Sequence, residues 1–182
     1  MLDFQSLYPS IMISHNYCYS TCLGNIDDLW SMSGRKLGML TEWQANYEFL
    51  GISPTAEDIM SKIYVAPNRV AYLRKSVRQG VVPKLLEEFL QTRIMFKQSA
   101  KLYKDNRRIQ RILDFRQLAL KMFMNTTYGY TAASCTGRMP CSDIADSIVG
   151  TGRHILEKAI KMIDGMSGLK VIYGDTGIYE LI

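Results

Sequence analysis

Two short apolar runs near the ends of the chain each finish on an acidic residue. Met1-Leu2 leads into Asp3, and Val171-Ile172-Tyr173-Gly174 leads into Asp175. Both read as short strands. Between them Leu86, Leu90, Ile94 and Leu102 recur near helical spacing after Pro83, which suits a first helical turn, and Glu87 and Glu88 complement the N-terminal dipole. A second helix follows from about Ile112 to Thr126, with no Gly or Pro inside it. A short join near Asp105-Asn106 would make the two a hairpin. Ile63-Tyr64-Val65-Ala66 and Val70-Ala71-Tyr72-Leu73 are strand-like runs around a turn at Pro67-Asn68. Ile144, Ile148, Ile155, Ala159 and Ile163 predict an amphipathic helix over Ser142 to Met162 that packs beneath the sheet, with Gly165 and Gly168 ending it. From Gly24 to Ser61 the pattern is weak, with a faintly helical patch from Thr41 to Phe49, and no chemistry is assigned there. The elements predict a sheet that carries a helical hairpin.

Composition changes this picture little. A chain of 182 residues that is 47% hydrophobic and 21% charged is ordinary for one domain, or a domain with a subdomain. No apolar run approaches the roughly 18 residues of a membrane span, so no membrane is expected among its partners. The four cysteines, Cys18, Cys22, Cys135 and Cys141, are too few for a disulfide scaffold and lack the tight paired spacing of structural zinc sites. They read as reduced, mostly buried thiols.

The net charge of +5 is informative once it is located. Lys84 to Arg111 holds eight basic residues (Lys84, Arg93, Lys97, Lys101, Lys104, Arg107, Arg108, Arg111) against three acidic ones (Glu87, Glu88, Asp105), so the rest of the chain is neutral on balance. Arg93, Lys97, Lys101 and Lys104 fall on one helix face. Such a stripe suits polyphosphate or a nucleic-acid backbone, while a solvated face is the commoner meaning of a charge run. On the second helix Gln117, Lys121 and Asn125 share a face, which Tyr128 continues if the last turn persists. Lys121 can neutralise phosphate, Asn125 can hydrogen-bond sugar or phosphate, and Tyr128 can stack against a base. Singly, these are ordinary surface residues.

The two aspartates fit the same target. Mg²⁺ prefers carboxylate oxygens plus substrate phosphates, and two-metal sites hold their ions roughly 3.5–4 Å apart. Carboxylates from distant parts of a chain share such a site if their strands are neighbours in one sheet. Either Asp alone more simply begins a turn or caps a helix.

Four ordered blocks then carry a family resemblance: Asp-Phe-Gln-Ser-Leu-Tyr-Pro-Ser at 3–10, Arg-Gln-Gly-Val-Val-Pro at 78–83, Lys-Met-Phe-Met-Asn-Thr-Thr-Tyr-Gly at 121–129 and Tyr-Gly-Asp-Thr at 173–176. The chain resembles the family B DNA polymerases. Asn-Tyr-Cys-Tyr-Ser-Thr-Cys-Leu-Gly at 16–24 and Gly-Arg-Met-Pro-Cys at 137–141 are similar to a translesion branch of that family. The resemblance implies an α+β fold in which an antiparallel palm sheet with packed helices carries an α-helical fingers hairpin. Residues 1–82 would be the first part of the palm, 83–130 the fingers and 131–182 the second part of the palm. The thumb, exonuclease-like and N-terminal domains are expected to be absent, which leaves the faces they would cover exposed.

The resemblance also implies roles. Asp3 and Asp175 would bind two Mg²⁺ ions, with the backbone carbonyl of Phe4 as a further ligand. The backbone N–H groups of Ser6 and Leu7 would hold the incoming triphosphate, gripped by Arg93 and Lys97 from the fingers. Tyr8 would be the steric gate against a 2′-hydroxyl. Lys121 would contact the phosphates and act in catalysis, Asn125 would assist nucleotide binding, and Tyr128 and Gly129 would lie against the DNA near the nascent base pair. The implied reaction is in-line attack of a primer 3′-hydroxyl on the α-phosphate of a deoxynucleoside triphosphate, on primer–template DNA, in the nucleus, with accessory polymerase subunits as further partners.

One departure bears on activity. Family members read Tyr-Gly-Asp-Thr-Asp-Ser at the last block, whereas this chain has Gly177 and Ile178 in place of the second Asp and the Ser. Glycine offers no side-chain oxygen to a metal. Glu180 could substitute only if it shared a face with Asp175, and counting straight along one strand places it on the other. A catalytically impaired nucleic-acid-binding or partner-binding remnant of the fold is therefore the alternative function.

Overall fold

The lead-in to Asp3 is a strand, β1 (Leu2–Asp3), and the chain turns at once into a helix, α1 (Leu7–His15). The computed structural model describes residues 2–4, 6–26, 61–103, 105–133, 139–166, 171–175 and 178–181. The patch at 41–49, Lys104, Cys135 and Gly177 lie outside the described residues. Pro9 sits in the first turn of α1, where its missing N–H breaks no helical hydrogen bond. Pro9, Ile11 and Met12 are buried.

Two further strands, β3 (Ile63–Val65) and β4 (Val70–Leu73), form the hairpin that the sequence predicts. Arg69 N–H donates to the Ala66 carbonyl at 2.9 Å to close the turn at Pro67-Asn68. An unanticipated strand, β2 (Cys22–Asn25), pairs with the other edge of β4. Its register shifts between Cys22 and Gly24, and Gly24 takes a φ of 99°, which glycine adopts without steric cost. The aspartate-bearing strands belong to a different sheet. In it β6 (Ile178–Leu181) lies between β1 and β5 (Val171–Asp175), antiparallel to both. The described strands thus form two three-stranded sheets rather than the one expected.

The hairpin is α2 (Val81–Leu102) followed by α3 (Arg107–Ala132). Since α2 starts before Pro83, Glu87 and Glu88 fall outside its first turn, and Glu87 instead accepts from Lys75 Nζ at 2.9 Å. Leu86 is buried, whereas Leu102, expected on the apolar face, is 82% exposed at the hairpin tip. Asn106 caps α3 by accepting from the Ile109 N–H at 3.3 Å. This helix is longer at both ends than expected, and it runs through Gly129. Ile112, Phe115, Met122 and Phe123 on α3 are each more than half exposed. The last helix, α4 (Ser142–Asp164), buries Ile144, Ile148 and Ile163 of the predicted stripe.

The main core gathers around α1. Ile11 and Met12 meet Tyr17, Tyr72 of β4, Leu86 of α2, Met124 of α3, and Ile144 and Ile148 of α4. Fully burying such a side chain contributes roughly 1.5–3 kcal/mol. Asn16, just past α1, is buried and left-handed (φ 60°). Its Nδ2 donates to the carbonyls of Leu73 and Arg78, both at 2.8 Å, and its Oδ1 accepts from Gly80 N–H at 2.8 Å. These bonds fix the stretch that starts α2 against the end of α1. A Cβ on Gly80 would lie 2.8 Å from that of Cys18, so the approach requires glycine. The described cysteines are free, and burial pushes the Cys22 thiol up to about 12 and raises that of Cys141, so both remain protonated at neutral pH.

Candidate functional site

Ser6 opens the site. At the N-cap of α1 it adopts φ 53° and ψ 51°, a left-handed conformation that is uncommon away from glycine. Its hydroxyl makes no capping bond to α1. It accepts instead from Arg93 Nη1 at 3.0 Å. The Ser6 side chain therefore leaves the first-turn N–H groups of α1 unbonded, and the helix dipole there favours an anion.

Arg93 comes from α2 and is only 7% exposed, so for this residue a solvated face is excluded. Its Nε also donates to Gln117 Oε1 of α3 at 3.4 Å. Lys97, one turn along α2, and Lys101 are exposed. The Lys97 ammonium is pushed below its ordinary value by partial burial first, and then by the positive charges of Arg93, Lys121 and Lys101. Three cations from both arms of the hairpin are thus within electrostatic reach of Lys97. An anion placed among them would relieve their repulsion.

Beside the cations lies a cavity of about 320 Å³ lined by Phe4, Leu7, Tyr8, Pro9, Asn125 and Tyr128. The Tyr8 and Tyr128 rings meet with centroids 4.6 Å apart at 30°. Gly152 of α4 backs the Tyr8 ring, since a Cβ there would sit 3.4 Å from Tyr8 Cε1. Lys121 and Asn125 are exposed one turn apart on α3, and the last turn does persist, so that Tyr128 continues their line. A Cβ on Gly129 would meet nothing within 4 Å, so the surface beside Tyr128 is open.

The two aspartates occupy one row of the first sheet. Asp3 registers with Ile178 across β1 and β6, and Asp175 registers with the same Ile178 across β5 and β6. They are not on adjacent strands, as the simplest expectation had it. With strands about 4.8 Å apart, their backbones are about 10 Å apart. Glu180 registers with Tyr173, two residues before Asp175. Counting along one strand places Glu180 out of phase with Asp175, but β6 runs antiparallel to β5 and the cross-strand register places it in phase. Among the described residues no three His, Cys, Asp or Glu side chains cluster as a metal site.

The model of DNA polymerase family B matches residues 1–177. The chain belongs to DNA polymerase family B. It is 48% identical to the human DNA polymerase zeta catalytic subunit over 179 residues, which cover 97% of this chain and 6% of that protein. The Saccharomyces cerevisiae zeta catalytic subunit is 45% identical, with 97% of this chain and 11% of that protein covered. The Bos taurus DNA polymerase delta catalytic subunit is 39% identical, with 96% and 14% covered. The structure of the family B DNA polymerase from the archaeon Pyrobaculum calidifontis matches 99% of this chain and 19% of that chain at a TM-score of 0.68 and 27% identity. The chain therefore spans a small part of the length of its family B relatives. The family resemblance read from the four sequence blocks agrees with these matches, which include zeta catalytic subunits, as does the α+β fold with its antiparallel sheet and packed helices. Family B polymerases generally use divalent metal ions. Among the described residues no helix is long and apolar enough to cross a membrane.

Proposed function

We propose that the chain is the palm and fingers core of a DNA-directed DNA polymerase of zeta, translesion type, acting on nuclear primer–template DNA with deoxynucleoside triphosphates and with accessory polymerase subunits. In this reading residues 1–82 and 131–182 form the palm and 83–130 the fingers. The observation that carries it is the buried Arg93, which joins the hairpin to Ser6 at the uncapped N-terminus of α1, beside the cavity of Tyr8, Asn125 and Tyr128. Charge, helix N-terminus and aromatic pocket converge as a triphosphate, a sugar and a base require.

The triphosphate rests on the N–H groups of Ser6 and Leu7 and is held by Arg93, Lys97 and Lys121. The sugar lies against Tyr8, Asn125 donates a hydrogen bond to sugar or phosphate, and Tyr128 and Gly129 face the nascent base pair. Lys121 is the candidate donor of a proton to the pyrophosphate leaving group. Asp3 and Asp175 supply the hard oxygen donors that Mg²⁺ prefers, from matched register positions, with the Phe4 carbonyl as a further donor, so the residues present fit a divalent ion in chemical type. When bound, Mg²⁺ would supply charge stabilisation at the phosphates and acidify the primer hydroxyl.

A second reading rests on Gly177 and Ile178. Where the family pattern has Asp and Ser, this chain lacks a side-chain ligand, and a catalytically impaired nucleic-acid-binding or partner-binding remnant of the fold follows. The polymerase reading requires the triphosphate site. Lys121→Ala should weaken deoxynucleoside triphosphate binding about tenfold or more, the worth of a charge-assisted contact, while primer–template affinity changes less than about threefold. Filter binding and calorimetry measure the two, and equal losses would contradict the phosphate role.

A further inference from the structure

We infer that Gln117 and the Ser6 hydroxyl are positioning residues that hold the Arg93 guanidinium in place while leaving its charge for the triphosphate. The inference rests on the nucleotide site proposed above and concerns two groups to which that site assigns no role. Arg93 is nine-tenths buried, and a buried cation is ordinarily paired with a carboxylate. Its described hydrogen bonds go to neutral oxygens instead, from Nη1 to Ser6 Oγ at 3.0 Å and from Nε to Gln117 Oε1 at 3.4 Å. Two of the five guanidinium N–H groups are thus used to aim it.

The three partners come from three different elements. Ser6 stands at the N-cap position of α1, Arg93 lies on α2 and Gln117 on α3. Ser is a favoured N-cap because its oxygen accepts from the N–H of the first turn. Here the left-handed backbone of Ser6 coincides with a hydroxyl that bonds across to Arg93, and the helix lacks a side-chain cap. One hydroxyl therefore pins the hairpin to the start of α1 without itself bonding the α1 amides. A carboxylate in place of Gln117 would grip Arg93 more tightly, but it would cancel the charge and repel the phosphates.

That opposition gives a test which ordinary packing would not pass. The 182-residue chain and its Ser6→Ala, Gln117→Ala and Gln117→Glu variants are titrated with dATP in Mg²⁺, with thermal melting as the folding control. Ser6→Ala and Gln117→Ala should each weaken dATP binding about fivefold to tenfold. Gln117→Glu should weaken it at least as much as Gln117→Ala while melting no lower than the unsubstituted chain. Binding in Gln117→Glu equal to that of the unsubstituted chain would overturn the inference, as would losses that only track melting temperature. If the unsubstituted chain binds dATP and Lys121→Ala weakens it while the Gln117 and Ser6 variants do not, the positioning role alone fails. If the unsubstituted chain does not bind dATP at all, the nucleotide site fails with it.

Discussion

Gly177→Asp is expected to raise templated primer extension by about a thousandfold or more when this segment replaces the matching 179 residues of the Saccharomyces cerevisiae zeta catalytic subunit. The substitution adds a carboxylate where the family pattern has one and this chain has none. Asp3 and Asp175 stand about 10 Å apart at the backbone, on either side of Ile178. Two donors so placed leave a pair of like-charged ions underneutralised, and a misplaced ion costs the reaction both its geometry and its charge stabilisation. A factor of a thousand corresponds to about 4 kcal/mol of barrier. Gel-resolved extension of a labelled primer by the chimera with and without Gly177→Asp measures it. Equal extension would mean that the site does not depend on the missing acid, and Glu180, in phase with Asp175, would be the first residue to examine.

The second large effect is on sugar choice. Added to the chimera that carries Gly177→Asp, Tyr8→Ala should reduce discrimination against ribonucleotides about tenfold to a hundredfold, while Tyr8→Phe should keep it. The Tyr8 ring is held on one side by Tyr128 at 4.6 Å and backed on another by Gly152, so it cannot swing away from an added hydroxyl without displacing α4 or Tyr128. Forcing extra volume against a packed ring costs about 1–3 kcal/mol, which is the source of that range. The ratio of kcat/KM for deoxyribonucleotide and ribonucleotide gives the readout. Unchanged discrimination in Tyr8→Ala would remove Tyr8 as the gate.

The hairpin could be read from sequence because its apolar positions keep helical spacing and Asn106 marks the start of its second arm. The β3–β4 hairpin showed in its β-branched and aromatic runs around Pro67-Asn68. Helix α1 did not, because Pro9 stands in its first turn and apolar residues outnumber the narrow Ser10–Ser14 face that would reveal a period. Strand β2 was hidden by Gly24, whose place in a bulge is a property of the paired sheet. The Asn16 contacts span 57 to 64 residues, and no local pattern encodes them. For the site, residue types and spacing supplied Lys97 on a basic face of the first arm and Lys121, Asn125 and Tyr128 on a face of the second. They did not show that Arg93 is buried, since its acceptors come from 87 and 24 residues away. The placement of Glu180 failed for a related reason, because strand alternation counts correctly only until the chain turns.

The most direct measurement is calorimetric titration of this chain with dATP and with deoxyadenosine in Mg²⁺, at low and moderate salt. If the cations of α2 and α3 and the N-terminus of α1 form a triphosphate site, dATP binds about a hundredfold or more tightly than deoxyadenosine, and the difference shrinks as salt rises. Equal affinity for the two, or a difference indifferent to salt, would contradict it.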